Sequence, residues 1–331
     1  MNRTDRPSRD LRGRPRELPL AAFLLAALSS LPAWAADKTW AGGAGGDWNT
    51  GGNWSPVGVP GNADRIIIGA GATPVIAATP PTINQIQNAG TLTVNTGQSL
   101  YIDGGASPYI DGAGTITCNG TGKIEITAAN ADGDVLFNTT GCTVGNIIIN
   151  TNDATKQLRT SKVITVTING DFTITTGKVT LGNATAGCTF DINGSLSIAA
   201  GAVLQKAVTD GTLNISGDFT AAAGAWDPGT ITTVVFDGTT AQAYTSSRTD
   251  AGATTQDFQT LTIANTSAAV TDNDNASATF EVGGTLTVNT GATFTVKDTF
   301  NPATLTLNGT ATLRLENTIT DMSAAFTVNQ S

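Results

Sequence analysis

The chain has 331 residues, of which 13% are charged and 6% aromatic, and its formal net charge is −9. It contains no histidine, which excludes Ser-His-Asp and Cys-His catalysis and the usual zinc sites. An apolar fraction of 40% is enough for a continuous core, so the chain is read as folded and not as disordered.

Residues 1–35 have the pattern of a secretory signal peptide. Arg3, Arg6, Arg9, Arg12, Arg14 and Arg16 precede a mostly apolar stretch from Leu18 to Leu31, and Ala33-Trp34-Ala35 supplies a small-x-small cleavage site. The apolar stretch is shorter than the ~20 residues a membrane span needs, and no later stretch could span a membrane. Cleavage after Ala35 is expected, and the mature chain is expected to be exported. Cleavage removes six of 17 basic and three of 26 acidic residues, which leaves 11 against 23 and a net charge of −12. Such a surface repels nucleic acid and anionic lipid.

Residues 36–70 differ from everything after them. Trp40, Trp48 and Trp54 are separated by glycines, and Asn53-Trp54, Pro60-Gly61 and Asp64 lead into the aliphatic run Ile66–Ile68. The first turn of a solenoid exposes its apolar cross-section and an unpaired strand edge. Large aromatics can cover the first, and irregular backbone can blunt the second. The segment is therefore read as an N-terminal cap, with sugar stacking on Trp40, Trp48 and Trp54 as the functional alternative. It resembles the opening segment of many exported bacterial β-helix surface proteins, including adhesin-like chains with autotransporter-type strand repeats. That resemblance implies a β-solenoid at a bacterial cell surface or outside the cell, and no specific activity.

Residues 71–331 are repetitive. Gly90-Thr-Leu-Thr-Val-Asn-Thr-Gly97 returns unchanged as Gly284–Gly291, with looser copies at Asn169–Gly177, Asn193–Gly201 and Ser216–Gly224. Gly90 and Gly114 are 24 residues apart, as are Gly170 and Gly194; Gly217 follows 23 later, and Gly284 and Gly309 are 25 apart. Short alternating runs of Thr or Ser with Leu, Val, Ile or Phe read as strands. The period predicts an all-β fold, a right-handed parallel β-helix with three short strands per turn and roughly ten turns, ~50 Å long. A β-sandwich ranks second because it gives no reason for the recurring glycine register. The inward residues are predicted to be Leu92, Val94, Ile116, Ile124, Ile126, Val166, Ile168, Phe172, Ile174, Leu196, Ile198, Leu213, Ile215, Leu286, Val288, Phe294, Val296, Leu305 and Leu307. Windows 128–160 and 238–280 break the register and are predicted to be projecting loops, where function would sit. The C-terminus reads as uncapped or truncated, implying a partner there or a missing downstream domain.

Gly141-Cys142-Thr143 and Gly187-Cys188-Thr189 read as one repeat position two turns apart, too far for a disulfide. Cys118, Cys142 and Cys188 are expected to be small buried hydrophobes.

Chemistry is sparse. The mature chain has three glutamates, Glu125, Glu281 and Glu316, without an obvious paired acid. Asn150-Thr-Asn-Asp153 resembles the Asn-Thr-Asp motif of pectin-cleaving β-helix hydrolases, but none of the motifs that accompany it there is present. Glycoside hydrolysis needs two carboxylates at a defined separation. No cofactor is implied, and calcium is the one metal worth weighing, with Asp132, Asp134, Asp272 and Asp274 as oxygen ligands; solvated loops are the plainer reading. Eight Thr-x-Thr pairs (Thr91/Thr93, Thr115/Thr117, Thr165/Thr167, Thr173/Thr175, Thr285/Thr287, Thr293/Thr295, Thr304/Thr306, Thr310/Thr312) would, on one flat face, resemble the lattice of β-helical ice-binding proteins. They are expected on different faces, as ordinary outward strand residues. The function expected is a secreted or surface-exposed, non-catalytic solenoid, structural or adhesive toward glycan, cell or matrix. A polysaccharide-acting β-helix enzyme and an ice-binding protein are the alternatives.

Overall fold

The computed structural model describes residues 36–78, 82–104, 108–128, 133–151, 153–160, 164–182, 187–206, 211–227, 233–247, 256–273, 279–316 and 325–329. The expected signal peptide lies outside them, as do Asp132 and Asp274. The described residues form an all-β solenoid of about nine turns, with about 24 residues per turn. Among them no helix is long and apolar enough to cross a membrane.

Three sheets, here named A, B and C, contain ten, twelve and ten strands. One turn runs through Gln85–Asn88 in A, Thr91–Val94 in B and Ser99–Ile102 in C. Pairing between turns is parallel and sets like on like: Thr91, Leu92 and Thr93 lie beside Thr115, Ile116 and Thr117. Successive side chains of a strand point to opposite faces, so alternation in the sequence becomes an inner and an outer column in the sheet. Leu92, Ile116, Val144, Ile168, Ile192, Ile215, Phe236, Ile263, Val288 and Leu307 form one inner column of sheet B. Of the residues that alternation assigns to the interior, Leu307 is partly buried and the others are buried.

The corner between sheets B and C explains the recurring polar-Gly-polar motif. The side-chain oxygen of Asn146 accepts the backbone N–H of Asp171 at 3.0 Å. Asp171 Oδ1 accepts from Ser195 N–H at 2.9 Å, Ser195 Oγ from Asp218 N–H at 3.1 Å, and Asp218 Oδ1 from Ala243 N–H at 2.8 Å. Each turn thus satisfies a corner N–H of the next, a group that would otherwise lack a sheet partner. The glycines beside them allow the backbones to touch. A Cβ on Gly194 would sit 2.5 Å from the Gly170 carbonyl carbon and oxygen, and one on Gly217 2.6 Å from the Gly194 carbonyl carbon.

The N-terminal segment covers the first edges of sheets A and B. Asp37–Trp40 pairs with Arg65–Ile68 in parallel and with Trp54–Ser55 antiparallel, ending sheet A. Residues near Trp48 cover sheet B, with Trp48 N–H donating to Val75 O at 2.8 Å and Gly45 N–H to Thr73 O at 3.0 Å. Ile83 bridges to Ile102 beside sheet C.

Beyond Trp226–Asp227, the last strand in sheet A, the cross-section changes. Strands of sheet B lengthen to Thr279–Val288 and Thr299–Asn308, running through what was the A–B corner with a register shift between Val282 and Thr285. The turns become shorter, since Thr285 pairs with Thr304 whereas Thr165 pairs with Thr189. Here aromatic rings pack against one another: Phe219, Trp226, Tyr244, Phe258 and Phe280 have neighbouring centroids 4.7–6.3 Å apart. Tyr244 reaches across from sheet C, and its hydroxyl donates to buried Asp257 at 3.1 Å. The Trp226 indole N–H donates to the Asp257 carbonyl at 2.7 Å, and Asp257 Oδ2 accepts the Glu281 N–H at 2.7 Å. Asp257 therefore ties the end of sheet A to sheets B and C. Replacing Tyr244 by Phe withdraws a donor from a buried carboxylate and is expected to destabilise the protein by ~1–3 kcal/mol. Chemical denaturation of the two proteins measures it.

Two expectations change. The described parts of windows 128–160 and 238–280 are not projecting loops: Asp134–Phe137, Cys142–Val144, Ile147–Asn150 and Gln157–Thr160 occupy the first, and Gln242–Ser246, Phe258–Ile263 and Val270–Asp272 the second, all within the three sheets; residues 129–132, 152, 248–255 and 274–278 of these windows lie outside the described residues. Unequal numbers of residues between successive strands shift the glycine spacing without removing the turn. Cys142 and Cys188 are not equivalent either. Cys142 lies beside Val166, and Val166 beside Phe190, so Cys188 is offset by two positions. The three thiols are free. Burial pushes Cys142 up to about 12 and Cys118 and Cys188 to about 11, so all three stay protonated near neutral pH and are poor nucleophiles.

Candidate interaction face

The outer surface of sheet B carries two adjoining columns of threonine. In the first, Thr165, Thr189, Thr212, Thr233, Thr260, Thr285 and Thr304 pair in unbroken succession. The second runs Thr91, Thr115, Thr143, Thr167, Asp191, Asn214, Val235, Thr262, Thr287, Thr306 and Thr327. Residues two apart on a strand are ~6.7 Å apart and neighbouring strands ~4.8 Å, so the hydroxyls form a two-dimensional grid. The strands make this grid because Thr is β-branched and favours extended backbone, while each Val, Ile or Leu between two threonines is drawn into the core. In these columns Asp191 is the single charged residue. No hydrogen bond among the described residues engages their hydroxyls.

The eight Thr-x-Thr pairs fall on more than one face, but five of them lie on sheet B. Thr173/Thr175, Thr293/Thr295 and Thr312 belong to sheet C. Spacing along the chain could not reveal this, because the number of residues per turn varies and each pair's sheet depends on the count before it.

Ion-paired and hydrogen-bonded charged side chains also lie on the other faces. On sheet C, Glu125 is bound by Lys123 at 2.9 Å and by the Asn150 side-chain amide at 2.8 Å. Partial burial pushes its carboxyl up, but the Asn150 hydrogen bond and the Lys123 ammonium outweigh this and hold it below the ordinary value. At the sheet A end, Arg65 lies 3.5 Å from Asp37 and hydrogen-bonds Gln87. Asp111 accepts from Gly112 N–H, Thr139 and Asn138.

Residues 39–157 match the model of a family described as a domain of unknown function (DUF8693). The match takes in the tryptophan segment and the first turns, less than half of the chain. No curated protein and no solved structure matches.

The other residues singled out in the sequence do not converge on this face. Trp40, Trp48 and Trp54 point into the first turn and are 7%, 0% and 1% exposed. Trp54 packs edge-on against Trp40 and Trp48, with centroids 5.0 and 4.7 Å away, and its indole N–H donates to Trp48 O at 2.8 Å. Their ring faces are covered by protein, so they offer no open platform for a sugar. Asp134 lies in sheet A and accepts the Tyr109 hydroxyl at 2.9 Å. Asp272 is turned into the core at the end of a sheet C strand. Among the described residues no three His, Cys, Asp or Glu side chains gather as a metal site. Asp153 makes a local turn, its Oδ1 accepting Thr155 N–H at 2.8 Å and the Thr155 hydroxyl at 2.7 Å. Glu281 accepts from the Asn301 amide at 3.4 Å, and Glu316 pairs with Arg314 at 3.2 Å.

Proposed function

We propose that this chain is an exported, non-catalytic solenoid of a bacterial surface that adheres through the outer face of sheet B. The observation that carries this reading is the unbroken threonine column with its nearly uncharged neighbour. A rigid grid of free hydroxyls has its hydrogen-bonding groups already fixed, so binding an ordered surface costs little side-chain entropy. The grid suits a neutral, regularly repeating polyhydroxyl partner such as a packed polysaccharide, since an ionic partner would find little charge to pair with. The test is co-sedimentation of the mature protein with insoluble neutral polysaccharides. Thr212→Lys, Thr260→Lys and Thr285→Lys together are expected to weaken binding at least about tenfold, because each desolvates a charge at the contact. Equal binding by wild type and a triple variant with unchanged circular dichroism would overturn the assignment of the face.

A second reading is ice binding, favoured by the five Thr-x-Thr pairs that share sheet B. Inhibition of ice recrystallisation by micromolar wild-type protein, lost in the same triple variant, would select it over polysaccharide adhesion.

A further inference from the structure

We propose that the outer face of sheet A, over its middle turns, is a second binding surface that takes a carboxylated polysaccharide through Arg159 and Lys178. Residues 36–331 hold 11 basic and 23 acidic residues, yet five of the basic and two of the acidic ones fall within residues 156–206. That segment is therefore net +3 in a chain that is otherwise strongly acidic. Its two acids are placed elsewhere, Asp171 at the corner between sheets B and C and Asp191 on sheet B. Arg159 stands in the sheet A strand Gln157–Thr160, and Lys178 opens the next, Lys178–Leu181. Gln157 lies beside Lys178, and Arg159 beside Thr180. Leu158 and Val179 between them are buried in the core, so the four flanking residues share the outer face. Neighbouring strands are ~4.8 Å apart and residues two apart on a strand ~6.7 Å, which sets the two cations ~8 Å apart along one diagonal. Along the other diagonal Gln157 donates its amide to the Thr180 hydroxyl, which also accepts from Gln205 of the following turn at 3.3 Å.

Both cations are open to a ligand. Among the described residues no hydrogen bond or ion pair engages the Arg159 guanidinium or the Lys178 ammonium, whereas Arg65, Lys123 and Arg314 face Asp37, Glu125 and Glu316. Arg159 is exposed, and its guanidinium lies over Gly133 of the preceding turn, where an added Cβ would come within 3.2 Å of Arg159 Cζ. A planar guanidinium grips a carboxylate with two parallel N–H donors, and an ammonium takes a second carboxylate as a point charge. The amides beside them suit hydroxyl groups, so the mixture fits a chain of sugar acids. It does not fit nucleic acid, which needs more phosphate contacts and rings to stack on; Gln157–Thr160, Lys178–Leu181 and Val203–Lys206 contain no aromatic residue. Nor does it fit a lipid surface, since the exposed large hydrophobics among the described residues, Val57 and Val59, lie in the cap. Asp134 and Asp227, on the sheet A strands before and after, bound the patch and confine an anionic ligand to the middle turns.

Calorimetric titration of the mature protein with soluble alginate, carboxyl-reduced alginate and double-stranded DNA, in the presence of a calcium chelator, tests the surface. Alginate is expected to bind at about 50 mM salt and to be released toward about 200 mM, and the carboxyl-reduced polymer is expected not to bind. Arg159→Gln with Lys178→Gln should weaken alginate binding at least about tenfold, since two charge-assisted contacts are lost. Lys297→Gln with Arg314→Gln makes the same change in net charge outside sheet A and should shift it less than about twofold. The threonine face of sheet B enters none of these measurements, so they stand or fall apart from the binding of neutral polysaccharide. The proposal is overturned if alginate does not bind at the lower salt, or if the carboxyl-reduced polymer or DNA binds as tightly. Equal losses in the two double variants, which would reduce the effect to overall charge, overturn it as well.

Discussion

Trp48→Ala is expected to lower stability by ~3–5 kcal/mol, the range for removing a fully buried large aromatic. Trp48 is completely buried and sits edge-on to Trp54, while the backbone around it covers the first strand of sheet B. In a solenoid each turn contacts only its neighbours, so the loss should be concentrated in the first turns and not spread along the rod. Amide exchange should show residues 37–94 losing protection while the central turns keep theirs. Opening the cap also bares strand edges of sheets A and B, so the variant should aggregate as concentration rises. Trp48→Phe should cost much less, because the Trp48 indole N–H meets no acceptor among the described residues. Trp54→Phe should cost more than Trp48→Phe, since it forfeits the hydrogen bond to Trp48 O. If Trp48→Ala unfolds at the wild-type denaturant midpoint, the segment is not what stabilises this end.

Gly194→Ala is the second large effect, expected at ~1–3 kcal/mol or more. The new Cβ would lie 2.5 Å from both the Gly170 carbonyl carbon and Asp171 Oδ1, inside the corner ladder. Backbone cannot retreat there without breaking the Asp171-to-Ser195 hydrogen bond and the Gly194 N–H to Gly170 O contact at 3.1 Å. Gly201→Ala isolates a different cost. Gly201 has φ +82° but nothing within 4 Å of the added carbon, so only left-handed backbone strain of ~1–2 kcal/mol applies. Gly43→Ala, with open space and no positive φ, should be neutral. Denaturation midpoints in the order Gly43→Ala, Gly201→Ala, Gly194→Ala from highest to lowest would establish close backbone approach as the stronger constraint. The reverse order of the last two would refute it.

The repeated octapeptide at Gly90 and Gly284 shows what could be read from the residues alone. Strand alternation has a period of two and depends on no other part of the chain. Leu92, Val94, Leu286 and Val288 were therefore assignable to the core, and parallel stacking followed from the glycine spacing. What the tertiary structure decided depends on counting residues through irregular corners. The turns holding Asp134–Phe137 and Gln242–Ser246 were hidden by such corners. So was the gathering of five threonine pairs on sheet B, since one added residue shifts everything after it. Asn146, Asp171, Ser195 and Asp218 look interchangeable as turn formers, and only the next turn's N–H groups give them one shared task. Asp272 lies in an Asp-Asn-Asp-Asn stretch that reads as solvated loop, yet its strand turns it inward and buries it. Local chemistry sets which way a side chain leans within a strand. Which neighbours it meets is set by the turn laid down before it and the one laid down after.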